Sequence, residues 1–480
     1  MHRSRPVRWT TLATLIATCA AAPLGAQTSS SASIRIPFQK YSLPNGLTVV
    51  LSEDHSTPTV AVVITYHVGS KNEVPGHTGF AHMFEHVMFT GSGHVPYGYH
   101  DKYTQGVGGD NNGGTWSDGT QYYETVPSNY LETALWLESD RMGFLLDSLD
   151  EAKFKAQRDI VQNERRERID NQPNGRNGEV IDMTMYPPGH PYSWQPIGSM
   201  DDLKAATVDD VKNFFRLYYA PNNATLAIVG DFDPANAKAI VEKYFADLPR
   251  GKAVVRPNIG ASSLTGEKRI TLEDHVQIPQ LTIAWPSVDQ HSADQPALDL
   301  LSDILGNSRT ARINKALVYD AQSATEISVY QNPSENVGEF QVIAVPRPGH
   351  SLTELETQID SIIARMKRDG PTADELERVK AGQQVHFISG LQSNLGKAVQ
   401  LANDQTFFGD PSYSFRVQYP TTQAVTAADI KRVANTYLGN RRVVLSTVPV
   451  GKTDVASHAD RSTVVTDPYT EKEKASEVKP

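Results

Sequence analysis

The sequence predicts an α+β protein built from two homologous α/β halves, and three observations lead there. Strand-like runs of β-branched residues alternate with long helical patterns on both sides of a Gly/Pro/Ser-containing stretch at residues 251–266. A helix start in the first part, Thr207-Val208-Asp209-Asp210-Val211-Lys212, recurs as Thr426-Ala427-Ala428-Asp429-Ile430-Lys431, and Tyr218 is answered by Tyr437. Two copies of one unit are the economical explanation of that recurrence. With 480 residues, the chain is long enough to give each copy its own core.

Residues 1–26 read as a cleaved export signal. Arg3, Arg5 and Arg8 make a basic start, Trp9 to Ala22 is apolar and small, and Leu24-Gly25-Ala26 offers a small-residue cleavage site. The apolar run is too short and too rich in Thr and Ala for a membrane anchor, and nothing later approaches a membrane span. The expected location is therefore periplasmic or secreted. The single cysteine, Cys19, lies in this segment, where lipid attachment is its alternative role. The mature chain then has neither disulfides nor thiolate metal ligands.

Residues 27–35 are a Ser/Thr/Ala-rich lead-in, and the first half is expected at 36–250. Its strands are Leu47–Ser52 after the turn Pro44-Asn45-Gly46, Thr59–Val68, Thr120–Val126 after the Gly-rich stretch 106–119, and Ala224–Val229. Its helices are Gly79–Phe89, Asn129–Leu146, Glu151–Ile169 and Val208–Tyr219. After the linker at 251–266, the second half is expected at 267–451. Strands are read at Leu281–Trp285, Glu326–Tyr330 and Glu339–Val345, with helices at Gln295–Leu305, Leu352–Lys367 and Asp374–Ser389. Residues 452–480 are polar and charged and are expected to be a disordered tail. The formal net charge of −10 argues against nucleic acid as a partner, because such binding needs a basic face.

The chemistry is concentrated in His82-Met83-Phe84-Glu85-His86. Residues three and four apart on a helix share a face, so His82 and His86 can aim their imidazoles at one ion with Glu85 overlooking the same spot. This order, His-x-x-Glu-His, is the reverse of the commoner His-Glu-x-x-His. The flanking Phe80, Ala81, Met83, Phe84, Val87, Met88 and Phe89 make the helix a buried element. Polar side chains facing into it then need partners, which metal ligation supplies. A catalytic zinc takes three protein ligands. The third must be a carboxylate or another histidine, and the helix Glu151–Ile169 carries both Glu164 and Glu167. Aligning the halves places Asp299, Ser302 and Asp303 where His82, Glu85 and His86 stand, so one metal site is expected per chain.

His-x-x-Glu-His followed some 75 to 80 residues later by a helical glutamate resembles the pitrilysin/insulinase-type metallopeptidases. Gly79 to Phe89, Tyr219-Ala220-Pro221-Asn222-Asn223 and Ile228-Val229-Gly230-Asp231 carry the same resemblance, which spans about residues 36–450. It implies a clamshell of two halves around a chamber, with one Zn2+ held by His82, His86 and Glu164, and with Glu85 as general base in peptide hydrolysis. It also implies that Asn112-Gly113-Gly114-Thr115 is an edge strand pairing with substrate backbone, with Gly113 in place of the family's alanine. One departure stands out. The family's arginine and tyrosine, which reach over from the second half, are replaced by Val318 and Thr325, while Arg312 and Tyr319 have the right separation one turn too early. The resemblance therefore admits an Arg/Tyr-bearing partner subunit, a homodimer, or a zinc-bearing scaffold without turnover.

Overall fold

The computed structural model describes residues 34–465 apart from residue 257. The expected signal segment and residues 466–480 lie outside the described residues.

The first sheet contains β1 (Gln39–Ser42), β2 (Thr48–Glu53), β3 (Thr59–Tyr66), β4 (Asp110–Thr115), β5 (Thr120–Pro127) and β6 (Ala224–Gly230), in the order β1-β2-β6-β3-β5-β4. Pairing is antiparallel except between β2 and β6. The longer helices of this part are α1 (Phe80–Val87), α2 (Leu131–Ser148), α3 (Glu151–Arg165), α4 (Asn177–Met185), α5 (Val208–Tyr218) and α6 (Pro234–Phe245). Five of them share one core with the sheet, in which Ile64, Phe84, Leu135, Phe154, Phe215 and Phe245 are buried; α4 lies elsewhere.

The second sheet contains β7 (Lys268–Asp274), β8 (Gln280–Ser287), β9 (Ala324–Pro333), β10 (Gly338–Pro346), β11 (Val443–Pro449) and β12 (Thr463–Val465), in the order β12-β7-β11-β8-β10-β9. Its longer helices are α7 (Gln295–Leu305), α8 (Leu352–Asp369), α9 (Ala373–Gly390), α10 (Asn394–Phe408) and α11 (Ala427–Tyr437). Strand for strand, β2 to β6 and β7 to β11 have the same order and sense, so the halves are homologous copies. The repeated helix start has one physical basis in both. Thr207 and Thr426 are N-caps whose hydroxyls accept from the N–H of Asp210 and Asp429, and those carboxylates return to the cap.

The halves exchange helices. The second face of sheet one (Val50, Ala61, Val63, Ala227, Val229) is covered by Ala398, Leu401 and Ala402 of α10, from the second half. The second face of sheet two (Leu272, Ala284, Val443, Leu445) is covered by Val180, Ile181 and Met185 of α4, from the first. Both helices begin at an asparagine that bonds across. Asn394 donates to the Thr59 carbonyl at 3.1 Å, and Asn177 donates to Gln280 at 2.8 Å and accepts from Thr447 at 2.6 Å. Strands covered on both faces read as continuous apolar runs rather than alternations, as β3 and β6 do.

Three sequence expectations change. The disordered tail does not begin at 452: residues 453–455 and 459–461 form short 3-10 turns, and β12 adds to the edge of β7 in parallel. The β-branched Thr463-Val464-Val465 gain ladder hydrogen bonds there that local charge content does not foretell. The helix read as Glu151–Ile169 is α-helical to Arg165 and then widens into a π-helical turn at Arg166–Asp170. The exchanged helices α4 and α10 were not expected, because their apolar content is modest and their partner faces lie far away in sequence.

Leu401 is fully buried where the halves meet. Leu401→Ala should cost about 2–5 kcal/mol in urea unfolding, with a single transition for the whole molecule rather than release of one half.

Candidate metal centre

Helix α1 starts at Gly79, whose φ of 89° lies in the left-handed region and whose Cα side faces the Ile197 carbonyl too closely for a Cβ. With no side chain to cap the helix, a distant carboxylate does so. Glu73 accepts from the N–H of Gly79 at 3.0 Å and of Ala81 at 2.8 Å. Phe80, Met83, Phe84 and Val87 face the core, which turns His82, Glu85 and His86 toward the neighbouring end of α3.

There Glu164 meets them. Its Oε2 lies 3.1 Å from His86 Nε2 and 3.8 Å from His82 Nε2, and the two Nε2 atoms are 3.4 Å apart. Among the described residues, these three are the one group of His, Asp, Glu or Cys whose ligand atoms all lie within 4.8 Å of one another. Glu167, the other acid read on this helix, is exposed and is not part of it. Neighbours pin Glu164 in place. Arg168, one turn on, holds its Oε1 at 2.6 Å. Arg165 is buried, bonding Glu179 of α4 and the Gly198 carbonyl, each at 2.6 Å.

The donor set fits a tetrahedral zinc. Ligands about 2.05 Å from a tetrahedral centre stand about 3.3 Å apart, close to the spacings found here. Burial, helped by His86 and Arg168, pushes the His82 imidazole down to about 3, so it is neutral with a lone pair to give. Its Nδ1 is buried without a hydrogen-bond partner.

Glu85 is half-buried beside this group. Burial raises its carboxyl above the usual range, partly opposed by the Thr115 hydroxyl and by His86. Gly113 of β4 abuts it: a Cβ there would sit 3.2 Å from Glu85 Cγ and 3.0 Å from the Tyr122 ring. The glycine found where the resemblance expects alanine therefore leaves Glu85 room. Strand β4 is an outer strand of its sheet, paired only to β5, and Asn112 on it is exposed with its Oδ1 accepting from the Gly113 N–H at 2.8 Å. His77 is an exposed loop residue stacked edge-on against Phe80. In the second half, Arg312 is occupied by Glu375 and the Gly370 carbonyl, and Thr325 bonds the Val345 carbonyl, so neither reaches across.

Sequence reasoning missed Glu73, Arg165 and Arg168, and it named Thr115 only as part of the edge strand, not as a neighbour of Glu85. Only Arg168 left a local signal, its i,i+4 spacing from Glu164; the others act through tertiary contacts.

The aligned positions in the second half lack the ligand set. Gln295 donates to Asp299 at 2.6 Å, and Gln383 donates to Asp303 at 2.6 Å. Ser302 stands where Glu85 stands in the first half.

Comparison with known proteins gives this arrangement a class. A family model described as "Insulinase (Peptidase family M16)" matches residues 48–187, and one described as "Peptidase M16 inactive domain" matches residues 205–383. Zinc protease PqqE of Helicobacter pylori is 31% identical over 408 residues, covering 83% of this chain and 90% of that protein. A probable mitochondrial-processing peptidase subunit beta of Arabidopsis thaliana is 23% identical over 430 residues, 85% of this chain and 77% of its own length. The crystal structure of a protease from Helicobacter pylori superposes with a TM-score of 0.80 at 29% identity, covering 86% of this chain and all of that one. The chain belongs to the insulinase family of peptidases, family M16.

Asp299 gives a pH test of the altered second copy. Burial raises its carboxyl to about 7, above the unfolded value, so the native state resists ionisation. Stability owed to the neutral form is complete below about pH 4 and is lost as the pH climbs to about 7, at up to about 1.4 kcal/mol per unit. Asp299→Asn should therefore gain on wild type in denaturant melts from pH 4 to 7, with the difference constant above.

Proposed function

We propose that the protein is an exported zinc-dependent endopeptidase that hydrolyses peptides or unfolded small proteins. In this reading residues 36–250 form the catalytic domain and residues 267–451 the non-zinc half. His82, His86 and Glu164 hold one Zn2+ per chain, and Glu85 is the general base. The observation that carries the reading is the meeting of three donor atoms from α1 and α3, with a fourth, non-ligating carboxylate beside them.

Zinc in that cage supplies Lewis acidity and lowers the pKa of water at the site. The chain's own groups do the rest. Glu85, its proton affinity raised by burial, takes a proton from water and passes it to the leaving amine. Arg168 and Arg165 keep α3 and the Glu164 carboxylate in register with α1. The outer edge of β4 at Asn112 and Gly113 is suited to pair with an extended peptide backbone, which aligns the bond to be cut with little regard to side-chain sequence. Because Gly113 adjoins Glu85, that alignment would deliver the peptide to the base.

A second reading has one specific observation behind it. The arginine and tyrosine that the family resemblance calls for from the second half are absent at Val318 and Thr325, and Arg312 is committed to Glu375. Full activity would then need a related subunit carrying that pair, as a heterodimer; a homodimer, or a zinc-bearing assembly role without turnover, are its variants. No helix among the described residues is long and apolar enough to cross a membrane.

Metal content and turnover separate these readings. Purified protein should carry about one zinc per chain by elemental analysis, and Glu164→Gln should lower affinity about 10- to 100-fold or more, read by chelator competition. Glu85→Gln should keep its zinc yet lose about 100-fold or more of kcat on a fluorogenic peptide. Zinc-replete wild type with no cleavage alone, but cleavage after adding the related Arg/Tyr-bearing subunit, would favour the second reading.

A further inference from the structure

The turn joining β9 to β10, residues 334–337, is the second half's copy of the turn joining β4 to β5, residues 116–119. Both are tightly closed: the N–H of Ser334 donates to the Val337 carbonyl at 2.8 Å, and that of Trp116 to the Gly119 carbonyl at 3.0 Å. The two turns meet tip to tip, the N–H of Glu335 donating to the Asp118 carboxylate at 2.9 Å. The offset that carries His82 onto Asp299 also carries Asp118 onto Glu335. Two carboxylates in equivalent positions, one from each half, are thus brought together.

Lys71 of the first half sits between them. Its side chain is 2% exposed, and its ammonium meets three acceptors: Asp118 at 2.9 Å, Asn336 at 3.4 Å, and Glu335. His67, just past β3, donates to the same Glu335 oxygen at 2.6 Å. Burial alone would raise the Glu335 carboxyl, but the bonds from His67 and Lys71 bring it down to about 2, so it stays ionised. Burying such charges carries a desolvation cost that apolar contacts between the halves avoid. The exchanged helices already join the halves through apolar contacts, so adhesion alone does not account for this junction.

What Lys71 holds in place does account for it. The residue lies in a buried 3-10 turn, Ser70–Asn72. The Glu73 N–H closes that turn on the Ser70 carbonyl at 3.1 Å, and the Gly69 N–H closes it on the Asn72 side chain at 3.1 Å. Lys71 and Glu73 therefore move together. Glu73 is the cap of α1, taking the N–H groups of Gly79 and Ala81 on separate oxygens, one residue ahead of His82. On its other side the turn donates from Ser70 and Lys71 to the carbonyls of Trp116 and Ser117, at 3.3 and 3.0 Å, immediately past the end of β4. One buried segment thus braces both the helix that carries the histidines and the outer strand beside Glu85.

We propose that Glu335 is a positioning residue of the metal centre, supplied by the second half, which fixes α1 and the end of β4 through Lys71. The second half thereby acts on the first half's chemistry from behind the site, although Val318 and Thr325 give it no arginine or tyrosine to reach across. Loosening Lys71 frees Glu73, and with it the first turn of α1, on which His82 and Glu85 depend. A displacement of about 1 Å among reacting groups is enough to cost about 100-fold in rate. The inference rests on the peptidase reading for its effect on turnover, while its effect on zinc affinity is read without turnover.

Glu335→Gln removes the charge and keeps the shape. Assayed well below its melting temperature and loaded with zinc, it should lose about tenfold or more of kcat on a fluorogenic peptide, with KM changed less than about threefold. In chelator competition it should bind zinc about tenfold more weakly. Two further proteins separate positioning from stability. Adding Lys71→Met removes one charge of each sign, so the double variant should regain melting temperature yet keep the low kcat and weak zinc binding. Lys397→Met breaks a different ion pair between the halves, with Asp54, and should lower the melting temperature while leaving kcat and zinc affinity unchanged. Wild-type kcat and zinc affinity in folded Glu335→Gln overturn the proposal. So does their return in the double variant, or an equal loss in Lys397→Met. Should Glu335→Gln not fold, Glu335→Asp, which keeps the charge but draws it back by one methylene, is read in the same way. Weakened zinc binding in the variant with no cleavage by wild type would instead count against the peptidase reading alone.

Discussion

Both faces of both sheets must be buried, and neither half can do that with its own helices. That constraint organises the molecule. Each half covers one face of its sheet with its own helices and lends one helix, α4 or α10, to the other half's second face. The apolar runs of β3 and β6 would be a liability in an isolated half. In the pair they become an interior, and the two halves are one folding unit.

The candidate metal centre is tied to the same exchange. Glu164 is followed by Arg165, whose guanidinium is buried against Glu179 of α4, and α4 is the helix that packs on the second sheet. The Gly198 carbonyl that Arg165 also bonds belongs to the loop crowding Gly79 at the start of α1. One buried cation thus joins the end of α3, the start of α1 and the helix exchanged between halves. Truncating a buried paired charge leaves its partner unmatched, which explains why such a link is built from a bidentate arginine rather than a lysine. Glu164 lies in the last regular turn of α3, and the π-helical turn that follows, at Arg166–Asp170, carries the exposed Glu167.

The two halves also show what divergence costs and what it preserves. Threonine capping boxes, strand order and the Asn177 and Asn394 helix starts persist in both. The ligand positions do not. Asp299 and Asp303, which align with the histidines of the first half, each accept a hydrogen bond from a glutamine. Fold-determining contacts are held in place by the burial of the central strands, whereas a ligand set needs only a different pair of side chains to vanish.

By itself the sequence determined whatever depends on neighbours within a few turns. The His-x-x-Glu-His face, the strands β2, β3, β5 and β6 and the repeated capped helix rest on local periodicity or spacing, whereas the choice of Glu164 over Glu167 and the edge-strand reading of residues 112–115 came from the family resemblance. What only the tertiary structure decided are the relations between distant segments. They include the Glu73 cap on α1, the Arg165 link, the exchange of α4 and α10, and the ordering of residues 453–465. The physical reason is common to all of them. Helical and strand patterns are written by adjacent residues, but a buried polar group finds its partner wherever the packed chain happens to bring one.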